Sequence, residues 1–174
     1  GNITSAITVS GSGAVSPEYE NAYVTGSDSW SGKVTLTGGE LGIYDAYTGN
    51  GNLDASGGQF AINSNSSVTL GSGSSISNAV KVLVDNGSTL TINGANANIS
   101  LADSQIQGTL NLTSGNLELG NVFGSNGTLQ TTGGNLTING TNVQIGNASD
   151  IADSTTVTIS SGATLNQTGG DIVL

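Results

Sequence analysis

The sequence has no cysteine, arginine, histidine or methionine, and a single proline among its 174 residues. Without Cys there are no disulfides and no thiolate metal site, so hydrogen bonding and apolar packing must hold any fold. Two lysines, Lys33 and Lys81, stand against 12 acidic residues, for a net charge of −10. Nucleic-acid binding needs a cationic footprint, and that class is excluded. The same charge disfavours unassisted docking on anionic lipid. No run approaches the ~18 consecutive apolar residues of a membrane span, so no direct membrane insertion is expected of this segment. An initiator Met and a signal peptide are also missing, which reads as a chain processed or cut from something longer. Charged residues make up only 8%, where an ordinary domain is about a quarter charged. Hydroxyls and amides must therefore wet the surface.

What is present is glycine, 28 of them, with Asn, Ser and Thr and an apolar share of 34%. The apolar residues are β-branched and regularly spaced, which argues for a fold and against disorder. Four segments stack on one another. Residues 32–43 read GKVTLTGGELGI and residues 51–62 read GNLDASGGQFAI. Residues 108–119 read GTLNLTSGNLEL and residues 127–138 read GTLQTTGGNLTI. The step within each pair is the same, about 19 residues, and the gap between the pairs is three such steps. The alignment expects one apolar column of Val34, Leu53, Leu110 and Leu129. It expects a second of Leu41, Phe60, Leu117 and Leu136, and a third of Ile43, Ile62, Leu119 and Ile138, with glycines 39, 58, 115 and 134 between. Apolar-polar alternation on either side of a Gly-rich corner is two short strands and a turn. Looser rungs carry Leu90 with Ile92, Ile99 with Leu101, Val157 with Ile159, Val68 with Leu70, and Val143 with Ile145.

A period of about 19 predicts one coil of a solenoid, an all-β, right-handed parallel β-helix. The period alone does not fix handedness, which follows from the bias of parallel crossovers together with the family resemblance given below. A sandwich of antiparallel hairpins would space its strands at about 8–12 residues without columns at the longer period. About nine coils are expected, a rod on the order of 40 Å long at about 4.8 Å per coil. In-register stacking also permits Asn ladders. Residues 1–30, with Pro17, Tyr19, Tyr23 and Trp30, obey the repeat poorly and are expected to be an irregular N-terminal cap or first coil. Residues 31–174 are expected to be helix repeats that continue beyond the chain, because Asp171 to Leu174 follow a core strand without a polar closing segment.

Chemistry on this scaffold has few candidates. Lyases of this architecture use an Arg or Lys base beside acidic calcium clusters. Only Lys33 and Lys81 are on offer, sharing a face if the intervening coils align. Paired carboxylates for hydrolysis are limited to Asp150 with Asp153 and Glu18 with Glu20. Turn carboxylates are more simply solvated, so no enzyme, no catalytic residue, no cofactor and no metal ligand is assigned. Calcium at Asp150 and Asp153, or at Asp85 with Asn86, is left open. Residues 49–54 resemble the nonapeptide calcium repeat only in part, with Asp54 one residue late. An ice-binding face would need outward Thr on coil after coil. Thr37, Ser56, Thr113 and Thr132 fit, whereas Thr35, Asp54, Asn111 and Gln130 do not, and Thr serves here as a wet strand former. Asn-X-Ser/Thr triplets, including Asn98, Asn111, Asn135 and Asn147, arise by chance in such a composition. Tyr44 with Tyr47 is expected in a loop between coils, where packing of the loop is the simpler role and stacking of a ring on a sugar the alternative.

The repeat in residues 108–119 and 127–138, with 32–62 close behind, resembles the passenger regions of bacterial autotransporter adhesins and related large β-helical surface proteins. The resemblance covers about two-thirds of the chain. It implies a stalk that holds an adhesive element away from a Gram-negative outer membrane, in an extracellular, cell-surface location. The translocator barrel of that family has no counterpart here. The implied partners are a host or bacterial surface glycan or protein, or further copies of the chain. The competing expectation is a self-assembling extracellular filament subunit that stacks through open solenoid ends.

Overall fold

The computed structural model describes residues 7–9, 21–30, 32–122, 127–141, 143–146 and 149–168. Every described element is a β-strand, and every pairing between strands is parallel. Among the described residues no helix is long and apolar enough to cross a membrane. The strands stack as a β-solenoid of about seven turns with a repeat near 20 residues. At about 4.8 Å per turn the stack is roughly 34 Å tall.

Following the chain through the pairings shows that each coil has three legs, and the stacked legs form three faces. Face A stacks Asn21–Val24, Glu40–Ile43, Gln59–Ile62, Lys81–Val84 and Gln105–Ile106 as a five-stranded sheet. Face B stacks residues 48–51, Ser67–Leu70, residues 89–92, residues 109–112, Thr128–Thr131 and Asp150–Ile151. Face C stacks Ile7–Val9, Lys33–Leu36, residues 52–55, Ser75–Ile76, residues 98–101, residues 116–119, Asn135–Ile138 and Thr156–Ile159. Thr48–Ala55, Thr89–Asp103 and Thr109–Val122 turn from face B to face C without a break, which fuses the two faces into one 11-stranded sheet. A separate two-stranded sheet, Val143–Gly146 with Leu165–Thr168, follows face C in the last two coils.

Alternation on each leg sends one set of side chains inward. The interior is a single apolar column set running through the stack, from Val24 and Val34 through Leu90, Ile92 and Leu110 to Ile145 and Ile151, all buried. Each buried Leu, Ile or Val contributes about 1.5–3 kcal/mol, and its burial depends on the coil above and below.

The register corrects the aligned columns. Val34 does pair with Leu53, but on face C, whereas Leu110 pairs with Leu129 on face B. Leu41 and Phe60 stack on face A with Val82, whereas Leu117 and Leu136 stack on face C with Ile99. Ile43 and Ile62 likewise belong to face A, and Leu119 and Ile138 to face C. The four similar segments therefore turn two different corners. The first pair turns from face C to face A and the second from face B to face C. The step along face B is not constant as it passes from Thr48 to Ser67, Thr89, Thr109 and Thr128. It is longest between Ser67 and Thr89.

The glycine of each motif supplies the corner. Gly58 and Gly115 sit at φ 86° and 92°, and a Cβ on either would lie 2.6 and 2.5 Å from a carbonyl oxygen of the preceding coil. Positive φ and close stacking both demand the missing side chain. At the corner from face A to face B the same left-handed geometry is met without glycine, by Asp45–Ala46 and, one coil on, by Ser64–Asn65, with φ between 55° and 57°.

Candidate functional site

The outward columns are the surface this molecule offers. On face B one column is hydroxylic over five coils: Thr48, Ser67, Thr89, Thr109 and Thr128. Its neighbour runs Asn50, Thr69, Thr91, Asn111, Gln130 and Asp150. On face C a column runs Thr35, Asp54, Ser75, Asn98, Asn116, Asn135 and Thr156. Asn135 Nδ2 donates to Asn116 Oδ1 at 2.8 Å, so the amides form part of a ladder. Hydroxyls and amides cover these faces because strand pairing places equal positions one above another.

This register redistributes the ice-face residues. Thr37 and Ser56 follow face C at its corner with face A, and Thr113 and Thr132 follow face B at its corner with face C. Thr35 with Asp54 and Asn111 with Gln130 likewise fall on different faces. The continuous hydroxyl column of face B has a partner column mixed with amides, so no two-column Thr array results there.

The remaining candidates are scattered. Lys33 lies on face C and Lys81 on face A, so the two cations do not share a face. Lys33 Nζ meets Asp54 Oδ2 at 2.7 Å, with both side chains about half exposed. Asp150 and Asp153 are exposed, as are Asp85 and Asn86. Among the described residues no three of Asp, Glu, His and Cys gather as a metal-holding set. Pro17, Glu18, Tyr19, Glu20, Asn147 and Asp171 to Leu174 lie outside the described residues.

The aromatics divide between the core and the surface. Tyr47 points into the core and is 2% exposed. Trp30 is 4% exposed, and its ring lies 6.5 Å from that of Phe60, nearly edge-on at 81°. Gly49 and Gly51 occupy inward positions opposite Val68 and Leu70. A Cβ on Gly51 would fall 2.3 Å from the Trp30 ring, and one on Gly49 would fall 2.3 Å from the Tyr47 hydroxyl. The two glycines thus make room for two large rings, a glycine vacancy filled by an aromatic. Outside, on face A, Tyr23 and Tyr44 tilt together at 5.7 Å over Gly42. Tyr44 donates to Glu40 Oε1 at 3.0 Å. Burial, then that hydrogen bond and the Glu40 charge, push its phenol up to about 12.

A groove of about 580 Å³ opens where face B meets face C in the first coils. Its polar lining is Asp28, Ser29, Thr48, Asn50, Asn52, Thr69 and Asn93, with Trp30, Tyr47 and glycines 49, 51 and 71. Asp28 Oδ2 accepts from the Thr25 amide at 2.8 Å and from its hydroxyl at 2.9 Å. Asn52 Oδ1 accepts from the Gly73 amide at 3.2 Å. Sequence reasoning passed over this set, since Asn50, Thr69 and Asn93 converge only through stacking of three coils. The signal was the Gly-Asn-Gly-Asn run at 49–52, which removes two inward side chains in one strand. Comparison with family models, with characterised proteins and with solved structures found no match to this chain.

Proposed function

We propose that this chain is a rod segment of a bacterial cell-surface protein, serving as a stalk with an adhesive surface and not as an enzyme. The observation that carries the reading is the parallel pairing of coil on coil beneath outward columns of hydroxyls and amides. Strands paired to the coils above and below are poor substrates for proteases, which cut exposed, loosely held segments. Its repeated columns of hydroxyls and amides suit weak contact multiplied over many copies. A surface glycan or protein, or another copy of the chain, fits those faces. Nucleic acid does not, given a net charge of −10 and the need for cations along a phosphate backbone. The resemblance to autotransporter-type adhesins rests on the repeat alone and supports an extracellular location.

The test is the intact mass of the native polypeptide, taken from extracted surface protein and probed with antibody to this segment. A mass many times 17.1 kDa is expected for a stalk within a giant chain. A mass near 17.1 kDa would overturn that reading in favour of a filament subunit.

A further inference from the structure

The groove has the size of a small-molecule site, about 580 Å³, within the usual range of roughly 300–1,000 Å³. Its chemistry narrows the ligand. Thr48, Asn50, Asn52, Thr69 and Asn93 are neutral groups that both donate and accept. Sugar hydroxyls also do both, so such a set can pair with them in either sense. Among the described lining residues the only charged side chain is the Asp28 carboxylate. An anionic ligand would meet no cationic side chain among those residues and the field of a chain at −10. The lining is also held in place: Thr48, Asn50 and Asn52 belong to one strand, Thr48–Ala55, paired to the coils before and after.

We propose that this groove binds a neutral oligosaccharide through Asn50, Asn52, Thr69 and Asn93. This rests on the adhesive reading above and gives it a ligand class and a site. No described ring of the lining is free to stack on a sugar face. The Trp30 and Tyr47 rings are committed to the core, and the indole N–H donates to the Gly32 carbonyl at 2.9 Å. Hydrogen bonds alone, each competing with water, give weak affinity, on the order of millimolar for one site. Useful attachment then comes from many copies acting together.

The experiment is an ¹⁵N-resolved NMR titration of the whole chain with four probes. Chitotriose and maltotriose are neutral; 3′-sialyllactose and trigalacturonate are anionic. At least one neutral probe should shift the signals of Thr48, Asn50, Asn52, Thr69 and Asn93, and neither anionic probe should. The Asn50→Ala/Asn93→Ala variant should bind about thirtyfold more weakly, the loss expected of two hydrogen bonds at about 1 kcal/mol each. Asn98→Ala/Asn135→Ala, on face C, should bind as the parent does. Unchanged signals from Leu41 and Leu129 certify that each variant is folded. No shift with either neutral probe, shifts confined to the Asn98, Asn116 and Asn135 column, or equal binding of an anionic probe would overturn the proposal. A silent groove together with a native mass many times 17.1 kDa removes the site and leaves the stalk standing.

Discussion

At the scale of single residues, the corners carry the strain and make it measurable. Ala46 sits at φ 55°, a left-handed conformation that costs an L-residue about 1–2 kcal/mol. Glycine adopts it freely but loses more entropy on folding. Ala46→Gly should therefore stabilise the chain by about 1 kcal/mol, seen as a higher urea midpoint at unchanged slope. The reverse holds at Gly58, where φ is 86° and a Cβ would lie 2.6 Å from the Gly39 oxygen. Gly58→Ala should cost about 1–3 kcal/mol in the same assay. Tyr44 gives a pH prediction. Its phenol is pushed up to about 12, by burial first and by Glu40 second, so folding favours the neutral form. That contribution is complete below about pH 10, where the unfolded phenol ionises. It is lost as pH rises through about 12. An absorbance titration should show a phenolate step there that Tyr44→Phe removes.

At the scale of elements, three strands of two residues have a common device. Ser75–Ile76, Gln105–Ile106 and Asp150–Ile151 are each preceded by a serine. Those serines accept amide hydrogens from the coil before. Ser74 Oγ takes the Leu53 amide at 3.2 Å, Ser104 the Val82 amide at 3.3 Å, and Ser149 the Leu129 amide at 3.0 Å. The hydroxyl thus lengthens a short rung by one hydrogen bond. Ser74 and Ser104 are buried, so removing either acceptor strands a buried donor, at about 1–3 kcal/mol. Ser74→Ala and Ser104→Ala should each lower the thermal midpoint. Ser88→Ala should not, because the buried Ser88 Oγ has no partner among the described residues. This device is visible in the sequence as Ser-x-Ile at 74, 104 and 149, but polar residues at inward positions do not announce themselves by alternation. What alternation does reveal is the strand and its inward face, as at Leu90 with Ile92 and Leu117 with Leu119. The corner a glycine turns is hidden. Gly39 and Gly115 stand in the same local motif, yet one leads from face C to face A and the other from face B to face C. Only pairing between coils distinguishes them, and pairing is not a local property. The groove was hidden for the same reason, since Asn50 and Asn52 reach Asn93 only across two turns of the solenoid.

At the scale of the whole molecule, a solenoid should tolerate the loss of one entire coil and nothing of intermediate size, because stability is a sum of coils and contacts between neighbours. Thr109 and Thr128 occupy equivalent positions on face B, one coil apart. Deleting residues 109–127 joins Gly108 to Thr128 and sets Thr128–Thr131 on residues 89–92, where 109–112 had been. Asn135–Ile138 then meets residues 98–101 in place of 116–119, with Leu136 over Ile99 and Ile138 over Leu101. Every inward column stays inward, so the shortened chain should fold, show the same β-sheet circular dichroism, and unfold cooperatively with a smaller denaturant slope. Deleting only residues 109–118 removes one leg of face B and most of one leg of face C. It forces Leu119 to follow Gly108, and the coil can no longer close over the apolar column of Leu90, Ile92 and Ile99. That chain should aggregate or lose its cooperative transition. If the two deletions behaved alike, the register between coils would not be what holds this molecule together, and the stacking of faces B and C would have to be redrawn.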